Sequence, residues 1–136
     1  MSKSNTSENA VVDCVLRGVD PSFRANANRY IALHTADPGE AGTAITSEAT
    51  FGAYARVAVV ASSGFTAASG GSSSNTGQIQ WAECTSGSNL ITHLSIVDTA
   101  SGAGTIIYSG SLTASRTISS GITALIAIGG LVVTED

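Results

Sequence analysis

The side chains best suited to chemistry are two histidines, His34 and His93, each followed by a nearby aspartate, Asp37 and Asp98. Histidine beside a carboxylate is a common arrangement for acid–base catalysis and for metal binding. Neither pair is accompanied in the sequence by a glycine-flanked nucleophile or by a third metal ligand. We therefore predict that the chain is not an enzyme and that both histidines are packed residues, bonded to backbone groups or to the start of a turn.

Other patterns that could hold a cofactor are weak. Asp37, Glu40 and Glu48 lie near one another in sequence and could bind calcium, but their spacing matches no standard calcium loop. Such a group of acidic side chains is more often a solvated surface turn than a calcium site. Cys14 and Cys84 lack the close spacing of a zinc site and are more typical of small buried side chains than of a disulfide. We predict no cofactor and no metal.

The charge of the chain limits its partners. The formal net charge is −4, with 6 Lys and Arg residues, whereas nucleic-acid binding needs clustered basic side chains. We predict no nucleic-acid partner. Four basic residues are candidates for contact with acidic loops of a protein partner, and the alternative is that they are scattered solubilising charges: Lys3, Arg24, Arg29 and Arg56.

The N-terminal region predicts one short helix. Asn5–Glu8 is typical of a helix start, and apolar residues follow at helical spacing: Val11, Val12, Val15 and Leu16. Gly18 and Pro21 then end the helix, because glycine tolerates a left-handed cap and proline disfavours helical geometry before it. Within a single domain, residues 1–18 are predicted to form an arm and helix, and residues 28–136 a β-domain.

The rest of the chain alternates short apolar runs with turns rich in Gly and Ser, a pattern typical of β-strands. The predicted strands are 29–35, 56–61, 78–81, 90–98, 105–109, 117–118, 122–128 and 131–134. Residues 90–98 and 105–109 should form a hairpin, and Ser62–Asn75 a connection that is mobile or ordered by a partner. The predicted fold class is all-β: a small antiparallel β-sandwich or jelly-roll-like barrel with one short N-terminal helix.

The surface is expected to be partly covered by other protein chains, because the mean hydropathy is +0.24 while only 12% of residues are charged. The longest apolar stretch, Ile122–Val133, contains two glycines and is about half as long as a membrane-spanning helix. Met1–Asn5 is polar and unlike a secretory signal. We predict no membrane partner and synthesis and use in a cytoplasm.

Several segments resemble a known family in the same order along nearly the whole chain. They are Tyr30–Glu40, which reads YIALHTADPGE, Tyr54–Arg56, Ser74–Thr76, Thr92–Asp98 and Leu131–Thr134. These segments are similar to those of a family of short tailed-phage virion structural proteins, described as tail fibre or as capsid cement and decoration proteins.

The resemblance implies a virion component assembled in the host cytoplasm. For a compact β-module without the sequence repeats of a fibre shaft, we favour a capsid cement or decoration protein that stabilises the head by bridging major capsid subunits. It is expected to be a homo-oligomer, with a trimer favoured. The alternative is a tail fibre or tail-tip component in host attachment, including a carbohydrate-binding module. Few exposed aromatic residues are expected to support carbohydrate binding, since Trp81 is the only tryptophan.

Overall fold

The computed structural model describes residues 1–135. Over that range a helix, α1, spans Asn5–Arg17, and a single turn of 3-10 helix spans Ser22–Ala25. The strands that follow are β1 (Asn28–His34), β2 (Val57–Val60), β3 (Ser72–Ser74), β4 (Ile79–Gln80), β5 (Ser88–Val97), β6 (Ile106–Ser119), β7 (Leu125–Ile126) and β8 (Val132–Thr134).

The main sheet has four antiparallel strands in the order β2-β1-β5-β6, and two smaller sheets pair β3 with β8 and β4 with β7. Leu33 of β1 lies opposite Leu94 of β5. The all-β prediction of antiparallel sheets with one short N-terminal helix is confirmed. Over residues 1–135 the sheets do not close, so the barrel form of that prediction is wrong.

Both faces of the central strands are buried, which explains why β1 reads as a continuous apolar run. One face contributes to the main core through Ile31, Leu33, Leu94 and Ile96. On the other face, Ala44 in the loop after β1 packs with Val97 and Ile106. The loop after β1 therefore covers the second face of the sheet with backbone and small side chains.

The hairpin of β5 and β6 is confirmed, but β6 is one long strand where two short ones were predicted. Ile91 pairs with Arg116 and His93 pairs with Ser111, so the four residues Leu112–Ser115 stand opposite Thr92 alone. Such an insertion in one strand bends it away from its neighbour. Leu112–Ser115 therefore bulge from the sheet, and the outer half of β6, Arg116–Ser119, pairs again with Ser88–Ile91 of β5.

The predicted connection Ser62–Asn75 contains β3, which pairs with β8 near the C-terminus. This pairing is a long-range contact that the Ser- and Gly-rich composition of the segment did not indicate. The predicted strand 122–128 is reduced to the two residues of β7, Leu125–Ile126. These differences arise because strand pairing depends on partners far away in sequence.

α1 begins one residue earlier than predicted, because Ser4 is the cap and its hydroxyl accepts a hydrogen bond from the Ser7 amide at 3.2 Å. Gly18 ends the helix with φ of 69°, the left-handed conformation for which glycine is suited. Within residues 1–135, α1 and the 3-10 turn are both too short or too polar to cross a membrane.

Candidate functional site

His34 is a fully buried residue with both ring nitrogens bonded. Its Nδ1 lies 2.8 Å from the Thr46 carbonyl oxygen, and its Nε2 lies 2.7 Å from the Ser95 hydroxyl oxygen. A carbonyl only accepts, so Nδ1 carries the proton and Nε2 accepts from the hydroxyl. Burial lowers the pKa of His34, although the bond to Thr46 opposes this effect. The neutral ring therefore fixes the loop after β1 to the sheet.

The two aspartates do not join the histidines. Asp37 accepts a hydrogen bond from the Gly39 amide at 2.9 Å, and Asp98 accepts one from the Thr105 amide at 2.8 Å. Each carboxylate thus stabilises its own turn. His93 bonds to the adjacent Thr92 hydroxyl at 2.8 Å. Asp37 and His93 line the same surface pocket, but within residues 1–135 neither histidine is hydrogen-bonded to an aspartate.

Glu48 and Arg56 form an ion pair at the edge of the core. Arg56 Nε lies 2.7 Å from Glu48 Oε1 and Arg56 Nη2 lies 2.8 Å from Oε2, an arrangement in which both carboxylate oxygens are used. The same guanidinium donates to the Thr99 and Gly102 carbonyls at 3.1 and 2.7 Å. The bonds to Glu48 raise the pKa of Arg56 despite its burial.

The Arg56 side chain is only 2% exposed, so it is not on the surface and we omit it from the candidate partner contacts. Arg56 is buried because it is paired with Glu48. Since both carboxylate oxygens of Glu48 bond Arg56, Glu48 is not free to bind calcium together with Asp37 and Glu40. Within residues 1–135, no three His, Cys, Asp or Glu side chains are gathered closely enough to hold a metal ion.

The other three candidate contact residues each have a partner within the chain. Lys3 is paired with Glu135, Arg24 is paired with Asp20, and Arg29 donates to the Asn26 carbonyl at 3.0 Å. Burial lowers the pKa of Arg29. Arg29 lines the same pocket as Glu135, the partner of Lys3, so two of the three basic side chains lie around one carboxylate. Their contact with a partner stays a prediction.

The most distinctive surface is on α1. Val12, Val15 and Leu16, here called the α1 stripe, are 54%, 76% and 77% exposed, and their spacing places them on one face of the helix. Glu8 lies one turn earlier on the same face. Among residues of α1 only Ser7 is buried. The face of the helix that carries Ser7 is partly covered further along at Val11 and Cys14, whereas the α1 stripe is open.

A second apolar surface lies beside the outer half of β6. This β6 cleft has a volume of about 490 Å³, and its walls come from Leu112–Ile118 and Ile122–Ile126. Trp81, Ile91 and Leu94 of the core also line it. It exists because the extra residues of β6 bend that strand outward. Trp81 is 2% exposed, so it offers no open stacking surface to a sugar.

Asn75 holds one side of the β6 cleft in place. Its side-chain amide donates to the Gly77 and Ala127 carbonyls at 2.7 and 2.9 Å, and its side-chain oxygen accepts from the Leu131 amide at 2.8 Å. Asn75 is 1% exposed. These bonds connect the chain before β4 to the segment after β7.

Sequence reasoning found the residues of the α1 stripe but not their exposure, and it did not single out Arg116 at the β6 cleft. Helical spacing of apolar residues indicates a face that will be covered. It does not indicate whether the cover is the same chain or another one. The low charge content and high hydropathy were the signals that pointed to cover by another chain.

The fold and these surfaces define a small all-β module in which the buried His34, Asn75 and Arg56 side chains are bonded internally and the notable open surfaces are apolar. Within residues 1–135, the Ser7 hydroxyl and the Trp81 indole N–H are buried without a hydrogen-bond partner. The chain belongs to the family described as podophage GP4 fiber I protein gp80, whose model matches residues 2–134. The resemblance to short tailed-phage virion structural proteins is thereby confirmed. No curated protein matches the chain.

Proposed function

We propose that this chain is a non-enzymatic fibre subunit of a short-tailed phage virion, which works by packing against copies of itself and against neighbouring virion proteins. The observation that carries the proposal is the α1 stripe, a helix face of large aliphatic side chains that the described chain leaves uncovered. The description of the family as a fibre protein supports the fibre role over other virion roles.

The energetics of such packing follow from the exposed area. Burying apolar surface contributes about 25 cal/mol per Å², so a few hundred Å² per contact gives a gross gain of roughly 10 kcal/mol before the cost of association. A single contact of this size is weak. Repetition of the contact in a homo-oligomer, for which we favour a trimer, adds strength because the later contacts form within one assembly.

A second candidate function is the capsid cement role, in which the module lies on the capsid surface and joins major capsid subunits. The observation in its favour is that the chain has two separate apolar surfaces, the α1 stripe and the β6 cleft. A small module with two such surfaces is suited to joining two neighbours. Lys3, Arg24 and Arg29 would then be available to acidic loops of the shell.

The experiment that tests these roles is a cryo-electron-microscopy reconstruction of intact virions, compared with virions from a phage in which the coding sequence for this chain is deleted. The fibre role expects β-rich density on an appendage that the deletion removes. Density that repeats over the capsid lattice would replace the fibre role with the cement role. Identical particles with and without the chain would overturn both.

A further inference from the structure

We infer that α1 of one copy docks into the β6 cleft of a second copy, so that the subunits join head to tail. This inference rests on the proposed structural role, and it names the surface through which the subunit assembles with itself. The two surfaces have matching chemistry, since the stripe consists of aliphatic side chains and aliphatic side chains are the largest group lining the cleft, together with Trp81, Arg116 and three threonines.

The start of α1 and the cleft lie at opposite ends of the main sheet. The chain enters α1 at Ser4, whose hydroxyl donates to the Ile106 carbonyl, and Ile106 pairs with Val97. The cleft wall at Arg116 pairs with Ile91. Six residues of β5 separate these positions, a distance of about 20 Å.

No residue of α1 lines the cleft in the described chain. Because the helix starts at the far end of the sheet and contributes no residue to the cleft, the cleft and the stripe of one molecule are separate surfaces. Two complementary surfaces at opposite ends of one molecule give a head-to-tail contact, which closes into a ring when the rotation between copies allows it.

The charges at the two surfaces are complementary. Glu8 lies on the same face of α1 as the stripe, and Arg116 lies at the cleft. Within residues 1–135, neither side chain belongs to an ion pair. Docking of the helix gives each charge an opposite partner at the rim of the contact, where such pairs set orientation.

The same charge argues against the simplest alternative, a parallel bundle of α1 helices from several copies. In such a bundle the equivalent Glu8 carboxylates would converge beside the stripe, and like charges at close range oppose association. The stripe exposes on the order of 400 Å² of mainly apolar surface, within the range of the largest patch on a typical monomer. With the cleft surface added, one joint is at the small end of specific interfaces, and a closed ring holds each copy by two joints.

The test uses purified full-length chain and two variants that each damage one surface, Leu16→Asp on the stripe and Leu125→Asp on the cleft wall. Both leucines are exposed in the single chain, and Val60→Asp, at a valine that is 51% exposed on β2, is the matched control. Circular dichroism and thermal unfolding verify that each variant folds. Sedimentation velocity over a concentration series then gives the dissociation constant.

The expected result is that Leu16→Asp and Leu125→Asp each weaken association about 30-fold or more, as loss of a central contact residue does, while Val60→Asp associates like the original chain. A mixture of the two damaged variants should form a 1:1 dimer and nothing larger. The intact helix of Leu125→Asp fits the intact cleft of Leu16→Asp. The damaged helix of Leu16→Asp and the damaged cleft of Leu125→Asp cannot form a second joint.

Three outcomes would overturn the inference: an original chain that stays monomeric up to millimolar concentration, a Leu125→Asp variant that associates normally, or a mixture that stays monomeric. Normal association of Leu125→Asp would indicate a bundle of α1 helices. A charge exchange gives an independent measurement, in which Glu8→Arg and Arg116→Glu each weaken association and the double variant restores it. All of these results are obtained without virions, so they are independent of whether the chain is found on a fibre.

Discussion

The pair Glu48–Arg56 and the α1 stripe follow opposite patterns within one small chain. At the ion pair, charged groups lie inside and each finds a partner supplied by the fold. On α1, aliphatic groups lie outside and the chain supplies no cover. Buried charge needs pairing, and exposed apolar surface marks contact with another protein. The difference teaches that the paired charged groups of this chain maintain the fold, whereas its exposed apolar surface is open to the assembly contact proposed above.

The largest effect on stability is expected from Arg56→Ala, which leaves the Glu48 carboxylate without its partner. Breaking a buried ion pair by removing one member costs about 3–5 kcal/mol in the free energy of unfolding. Urea unfolding followed by the fluorescence of Trp81 measures this cost. Arg24→Ala, at an exposed ion pair, is the control and should change the free energy by less than about 0.5 kcal/mol. Equal effects at the two arginines would remove the distinction between them.

The next largest effect is expected from Asn75→Ala, which removes three buried hydrogen bonds and leaves the Leu131 amide unpaired. We expect a loss of about 2–3 kcal/mol in the free energy of unfolding. Thermal unfolding measures it, with Asn9→Ala on the exposed side of α1 as the matched control. A change at Asn75 as small as that at Asn9 would contradict a structural role for these bonds.

His34 should give a smaller effect that depends on pH. Its pKa is lowered in the folded chain by burial, so between that lowered value and the ordinary value near 6.5 the unfolded chain binds more protons. Stability therefore rises with pH through this window. Above about pH 6.5 the ring is neutral in both the folded and the unfolded chain, and the contribution of His34 to the free energy of unfolding is fully present. This contribution is lost as the pH falls below that value.

The measurement for His34 is the urea midpoint from pH 8 to pH 5 for the original chain and for His34→Gln. The original chain should lose more stability on acidification than the variant, because the variant has no titrating group at this position. Parallel pH profiles would show that the ring does not need to be neutral in the folded chain.

The smallest effect on folding is expected at the α1 stripe. Leu16→Ser should change the free energy of unfolding of the monomer by no more than about 0.5 kcal/mol, because the side chain is already in solvent. Leu33→Ala, at a buried leucine, should cost about 2–5 kcal/mol in the same thermal unfolding experiment. A large loss in the free energy of unfolding for Leu16→Ser in dilute solution would mean that the stripe is covered within the single chain. That result would contradict the contrast between the Glu48–Arg56 pair and the α1 stripe.

The sequence by itself determined the helix and most of the strands. Helical spacing from Val11 to Leu16 and the glycine at position 18 defined α1, and apolar runs between turns defined β1 and the hairpin of β5 and β6. These features depend on neighbouring residues, whose side chains point in directions set by the local backbone. The family could also be recognised, because short segments in a fixed order carry that information.

Only the tertiary structure decided which side chains are covered. Arg56 and Arg24 are the same residue type in the sequence. In the structure Arg56 is buried against Glu48, whereas the Arg24 side chain is exposed to solvent. The valines of α1 have the spacing of a buried face and yet remain open, and the β6 cleft arises from a mismatch between two strands. Burial depends on which distant segments meet, and spacing along the chain indicates only that a face exists, not what lies against it.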